Sequence, residues 1–277
     1  MAFSVNTNGG ALLALRSLNK STSLLQTVQN EVSTGLRVAS AKDNAAVFNI
    51  AQKLRSNLAG LNAVKASLDR GISASDVAIA AGEAVSDLLN ELKAKAVAAK
   101  DSGLDSDSRT ALNDEFKELR DSITSIVDNA AFNGINAVKS NNIVAILNDD
   151  ASKTITIAAQ NLSLGSGAVG ANVKITVADV IDTAAKASVV LANIDLSITN
   201  VGTALSKLGS GAKRIELQRS FVDKLSDSIE VGIGNMVDAD LARSSANLQA
   251  LQVRQQLGLQ ALSIANQAPG AVLSLFQ

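Results

Sequence analysis

Apolar residues recur along most of this chain three and four positions apart, the interval of one helix face. Residues 8–32 carry one such stripe, Ala11, Leu15, Leu18, Leu25, Val28 and Val32. Residues 236–265 carry another, Met236, Leu241, Leu248, Leu251, Leu262 and Ala265. Neither stripe buries itself on an isolated helix. The two ends therefore read as helices that pair with each other and keep apolar surface for further partners. Asn6, Thr7 or Asn8 supplies the first cap, and Gly35 the first stop. Pro269-Gly270 is expected to end the last helix near Gln267, leaving a short apolar tail that includes Phe276.

Residues 33–46 lose the period and read as an ordered connector. From Val47 to about Lys100 the pattern resumes, with a seam through Ile50, Leu54, Leu58, Leu61, Leu68, Ile72, Ile79, Leu89, Leu92 and Ala96. At 1.5 Å per residue this is a helix roughly 75 Å long, and such lengths imply coiled-coil packing. Gly60, Gly71 and Gly82 recur within it at a regular interval. Each costs about 1 kcal/mol of helix propensity, so close backbone approach is expected at those points. Asp101–Asp107 reads as a turn with caps. The helix after it, 106–129, spaces Leu112, Phe116, Leu119, Ile123 and Ile126 at 4-3-4-3, antiparallel to its predecessor.

Residues 130–178 change character. Phe132-Asn133-Gly134 is a turn signal. Ile143–Leu147 and Lys153–Ala158 predict a hairpin about Asn148–Ser152, because Thr154-Ile155-Thr156-Ile157 alternates with period two. Asn161–Ala171 reads as a Gly/Ser-rich surface loop, and Lys174–Val177 as a third short strand. A heptad seam follows over 179–231, through Ala184, Ala187, Leu191, Ile194, Ile198, Val201, Leu205, Leu208, Ala212 and Ile215. Gly232 and Gly234 are expected to bend the chain. The predicted fold is mainly α: a long antiparallel coiled-coil rod with a small β-hairpin insert and paired terminal helices.

Composition sharpens this picture. The chain has 277 residues and is 47% hydrophobic but only 2% aromatic, so small side chains suit closely packed helices better than a thick core. The net charge of −1 gives no electrostatic footprint for nucleic acid. With neither His nor Cys, disulfides, thiolate chemistry and imidazole metal sites are excluded, and no cofactor is expected. No run approaches the roughly 18 apolar residues that span a bilayer. Lys and Arg do not line a polar face as in membrane-surface helices, so no membrane insertion is expected. The N-terminus lacks a basic region and a long apolar run, so any export would not read a cleaved signal peptide.

Residues 33–51, STGLRVASAKDNAAVFNIA, resemble the N-terminal signature of bacterial flagellin, the subunit of the flagellar filament. The resemblance continues through Phe132-Asn133-Gly134, Gly211-Ala212 with Arg214, Val237–Ser245 and Ala261–Pro269. It implies an extracellular subunit that polymerises with copies of itself, with an inner domain at 1–33 and 235–277, a spoke at 34–46 and a rod at 47–234. The hairpin region, about 142–178, stands where many members carry a large outer insert, so a short form is implied. Leu15, Leu18, Leu25, Val32, Leu241, Leu248, Leu251, Leu262 and Phe276 are then the inner-domain assembly residues. The spoke residues are Gly35, Leu36, Arg37, Ser40, Asp43 and Asn44, with Arg37 and Asp43 as a candidate ion pair. Leu54, Leu61, Leu68, Ile194, Ile198, Val201, Leu205 and Leu208 line the rod seam.

The resemblance also implies partners beyond other subunits: a filament cap, hook-junction proteins, an export chaperone and the flagellar export apparatus. Members often carry O-linked sugar, for which Ser152, Thr154, Ser163 and Ser166 are candidates. An enzyme reading has no positive support, since the His-Glu-x-x-His motif held by some members is impossible here. The alternative role is a flagellin-like protein joining hook to filament, against which the Ser-Thr-Gly-Leu-Arg-Val segment argues.

Overall fold

The computed structural model describes residues 7–165 and 170–273, with side chains placed through residue 267. Ser166 and Phe276 lie outside the described set. The chain is mainly α, in the order α1 (Gly9–Thr34), α2 (Ala45–Ala99), α3 (Ser106–Asn129), β1 (Ile143–Ile146), β2 (Thr154–Ile157), α4 (Ala184–Val237) and α5 (Leu241–Leu273). It divides into two compact units, Met1–Ser56 with Ser228–Gln277, and Asn57–Asp227.

In the second unit α2 and α4 run antiparallel. Lys65 meets Asp223 at 3.1 Å, Arg219 meets Asp69 at 2.8 Å, and Lys93 meets Asp195 at 2.8 Å. Such exposed pairs mark register more than they stabilise. Arg219 also pairs with Asp223, and its guanidinium is held above its usual pKa chiefly by its hydrogen bond to Asp69. The buried seam of α2 passes Leu61, Val64, Leu68, Gly71, Ser75, Ala78, Gly82, Val85, Leu89, Leu92, Ala96 and Ala99. Its middle is therefore built from small residues, whereas Ile72 and Ile79, expected on the seam, are half-buried beside it. On α4 the shared positions Ile194, Val201 and Leu208 are buried as expected. The alternate positions shift by one: Val190, Ser197, Ala204 and Gly211 lie deep, while Leu191, Ile198 and Leu205 are half-buried. Smaller groups at these places let the partner backbones approach.

The hairpin has the expected register, Ile143↔Ile157 through Ile146↔Thr154. Ile155 and Ile157 point inward and Thr154 and Thr156 outward, as the alternation requires. Its turn is closed by side chains. Asn148 Oδ1 accepts the Lys153 N–H at 2.8 Å, and Asp150 accepts the Ser152 N–H at 3.0 Å. That second bond holds the Asp150 carboxyl below its ordinary pKa. Three glycines of α2 sit under this insert or its neighbours. A Cβ at Gly60 would lie 2.7 Å from Asp149 Cβ and 3.0 Å from Asp149 O, one at Gly71 3.4 Å from Ala145 Cβ, and one at Gly82 2.7 Å from Leu205 Cδ2.

Gly60→Ala is therefore expected to destabilise the protein by about 1–2 kcal/mol despite its gain in helix propensity, because rigid backbone at Asp149 must shift. Gly202→Ala, on α4 with nothing within 4 Å of its would-be Cβ, should stabilise by about 0.5–1 kcal/mol. Denaturant midpoints of the unpolymerised variants decide both.

Several expectations are corrected. No strand forms at Lys174–Val177. Its N–H groups go to side chains, Lys174 N–H to buried Ser197 Oγ at 2.7 Å and Thr176 N–H to Asp179 Oδ2 at 2.7 Å. The described residues on either side of 166–169, which lie outside the described set, form an inserted strap rather than a surface loop, with Leu162, Leu164, Ala171, Val173 and Ile175 buried. The buried face of α3 includes Asn113 and Arg120 rather than Leu112 and Leu119. Gly232 and Gly234 do not interrupt α4, which continues to Val237. The break comes at Asp238, whose N–H still closes on the Gly234 carbonyl at 2.8 Å. Nor does Pro269 stop α5, which continues to Leu273. By length and composition α4 is apolar enough to cross a membrane, which a count of consecutive apolar residues misses. Its seam residues Ile194, Val201, Leu208 and Ile215 are packed inside the second unit.

Candidate assembly surface

The first unit is organised by the pairing of α1 and α5. Asn8 Oδ1 accepts the Ala11 N–H at 3.0 Å and caps α1. At the other end Gly35, with φ 73°, donates its N–H to Glu31 O at 2.9 Å. That left-handed conformation is the one for which glycine has no Cβ penalty. Four cross-links fix the register. Asn8 Nδ2 donates to Ala265 O at 2.6 Å, a Cβ on Gly258 would meet Leu18 Cδ1 at 3.2 Å, Ser244 Oγ donates to Glu31 Oε2 at 3.0 Å, and Leu36 bridges Asp238. One residue number rises as the other falls at a nearly constant total, so the two helices are antiparallel from end to end.

This register sets Leu25 level with Leu251, and both are buried. Leu18, Val32, Leu248 and Leu262 are half-buried, whereas Leu15 and Leu241 are exposed. The pair leaves more large apolar side chains outside than inside. Leu12, Leu13 and Leu24 of α1 are exposed, as are Val253, Leu257, Leu259 and Ile264 of α5, with Leu13 at 68% and Ile264 at 69%. Two helices cannot enclose both apolar faces, and an exposed apolar surface of this extent marks an interaction site.

The connector between α1 and α2 is tied to the end of α4. The N–H groups of Arg37 and Val38 both reach Val237 O, at 2.7 and 3.2 Å, and Ala239 N–H reaches Gly35 O at 2.8 Å. Val38, Ala51, Ile233 and Val237 form a buried cluster, with Leu36, Val47, Phe48, Leu54, Ile229 and Met236 against it. Arg37 and Asp43 do not pair with each other. Arg37 Nη2 donates to Met236 O at 2.8 Å. Asp43 Oδ2 accepts from Ala39 N–H at 3.1 Å, Ser40 N–H at 2.8 Å and Ser40 Oγ at 3.1 Å, closing the connector as a local turn. Asn44 Oδ1 accepts the Val47 N–H at 3.1 Å and caps α2, a place where a neutral amide serves as well as a carboxylate. Of the sugar candidates, Ser152 and Thr154 are exposed and Ser163 is half-buried.

Sequence reasoning missed the functions of Asn113 and Arg120. The Arg120 side chain, 7% exposed, donates through Nη1 to Val177 O at 2.5 Å and Asp179 O at 3.1 Å. Asn113 Oδ1 accepts the Ile181 N–H at 2.8 Å. The two side chains from α3 hold the strap down, and their spacing of seven residues was the available signal.

Comparison with known proteins places this arrangement. Residues 5–142 match the bacterial flagellin N-terminal helical region, and residues 191–276 the bacterial flagellin C-terminal helical region. Flagellin FljK of Caulobacter vibrioides is 43% identical over 276 residues, which cover 99% of this chain and 98% of that protein. The flagellin of Brucella melitensis is 35% identical over 287 residues and 99% of each chain. Among solved structures, a putative flagellar hook-associated protein from Vibrio parahaemolyticus shares the fold with TM-score 0.59 at 15% identity, over 71% of this chain and 100% of that one.

Proposed function

The chain belongs to the bacterial flagellin family, as a short form without a large outer domain, and from that premise we propose how its parts divide the work of a filament subunit. The protein is a structural subunit that self-assembles into the helical flagellar filament of swimming bacteria. In our reading residues 1–33 and 235–277 form the inner domain of the filament, 34–46 the spoke and 47–234 the rod. Leu15, Leu18, Leu25, Val32, Leu241, Leu248, Leu251 and Leu262 serve as inner-domain contacts, those buried within α1–α5 shaping the pair and those exposed meeting neighbouring subunits. Export proceeds without a cleaved signal peptide. The apolar stripe of α5 receives a chaperone beforehand, and the filament cap and hook-junction proteins contact the assembled ends. The chain performs no catalysis, a reading supported by a sequence with no His and no Cys.

The observation that carries this reading is the surplus of apolar side chains outside the α1–α5 pair. A single self-complementary contact would cover one patch and close. Exposed leucines spread along both helices suit several different neighbours, which is the geometry of an open helical lattice.

Purified subunit mixed with short filament seeds, followed by electron microscopy and circular dichroism, tests it. Filament growth is expected, and circular dichroism reports any change in helix that accompanies it. A chain that stays unpolymerised on its own seeds would move the role to a junction subunit.

A further inference from the structure

The continuation of α5 through Pro269 leaves a defect. Proline carries no backbone N–H, so the carbonyl four residues earlier lacks its helical partner. That carbonyl belongs to Ala265, and it is the one that Asn8 Nδ2 reaches at 2.6 Å across 257 residues of sequence. The same Asn8 amide accepts the Ala11 N–H at 3.0 Å through Oδ1. One side chain thus closes the start of α1 and the gap in α5. A serine or aspartate would cap α1 equally well. A carboxamide alone among the usual capping side chains both accepts and donates at this reach.

We propose that Asn8 and Pro269 are a matched pair that sets the axial register of the terminal helices, with Asn8 as a positioning residue for filament assembly. The proposal rests on the family's polymerising role and on no assignment of domains within the filament. The specificity is negative as well as positive. Sliding α1 by one turn, 5.4 Å, would set Asn8 against an interior carbonyl already bonded by its own helix. Its amide would then have to share a carbonyl that already accepts a helical N–H, a weaker bond than the one to Ala265. A buried asparagine selects coiled-coil register on the same logic. Here the acceptor is created by the proline, which acts as a docking mark instead of a terminator.

The test is the critical concentration for seeded filament growth of the full chain, measured for wild type, Asn8→Ser, Pro269→Ala and the double variant. Asn8→Ser keeps a capping oxygen and removes the long amide arm. It should raise the critical concentration about fivefold to tenfold, the worth of one well-placed hydrogen bond. Pro269→Ala restores the N–H that satisfies Ala265, so adding Asn8→Ser to it should cost about twofold or less. An equal cost in both backgrounds would overturn the pairing, and so would an unchanged critical concentration for Asn8→Ser. Should Pro269→Ala fail to assemble, Asn8→Asp decides alone. It caps α1 but sets a carboxylate against the Ala265 carbonyl, so growth at least as poor as that of Asn8→Ser is expected and wild-type growth would sink the idea.

Discussion

Leu25→Asp is expected to abolish seeded filament growth while leaving the unfolding of the unpolymerised chain's second unit unchanged. Leu25 is the one residue of α1 that is buried, and its level on α5 is occupied by buried Leu251. A carboxylate there would be set against apolar Leu251, and burying an unpaired charge costs several kcal/mol. Each 1.4 kcal/mol is a factor of ten in the critical concentration, so a rise of more than about a hundredfold is expected. Leu25→Ala, which leaves only a cavity, should cost about 2–3 kcal/mol. Leu13→Asp makes the complementary measurement. Leu13 is 68% exposed and loses nothing within the subunit, so blocked growth in that variant assigns its face to neighbours, and normal growth removes it from the assembly surface. Pelleting assays report growth. Far-UV circular dichroism in denaturant reports the fold.

Arg120→Ala should lower the stability of the second unit by about 3 kcal/mol, since two carbonyls lose charge-assisted bonds worth about 1.5–3 kcal/mol each before water partly replaces them. The guanidinium spans Val177 O and Asp179 O from one buried position. Arg120→Lys should recover less than half of the loss, because an ammonium lacks the planar fork. The expected signature is a lower denaturant midpoint with an unchanged slope. A midpoint equal to wild type would mean that the strap is held by Asn113 and its own apolar residues.

The long periodic elements were legible because large aliphatic residues at three- and four-residue intervals leave few alternatives to an amphipathic helix. The hairpin was legible because Thr154–Ile157 alternates with period two. Errors arose where small or polar residues do the packing. Gly71, Ser75, Ala78 and Gly82 form the middle of the α2 seam, and no hydrophobicity pattern weights them above Ile72 or Ile79. Asn113 and Arg120 occupy buried places because the strap offers unpaired backbone groups, a need invisible until the strap is placed. Pro269 misled for a related reason. Its missing N–H is a local cost, and the compensating donor lies at the opposite end of the chain. In the connector, Arg37 and Asp43 were expected to pair with each other, but Arg37 bonds the Met236 carbonyl and Asp43 the Ala39 and Ser40 donors.

Sequence separation within these pairs has a kinetic consequence. The hairpin joins Ile146 to Thr154, a loop closed locally, whereas Asp69 and Arg219 stand 150 residues apart and Asn8 and Ala265 stand 257 apart. Closing larger loops costs more entropy and slows folding. Structure should therefore zip outward from the middle of the chain. When the polypeptide is delivered first residue to last, α1 meets its partner helix only once Ser244 arrives at Glu31, and Asn8 waits longer still, for Ala265.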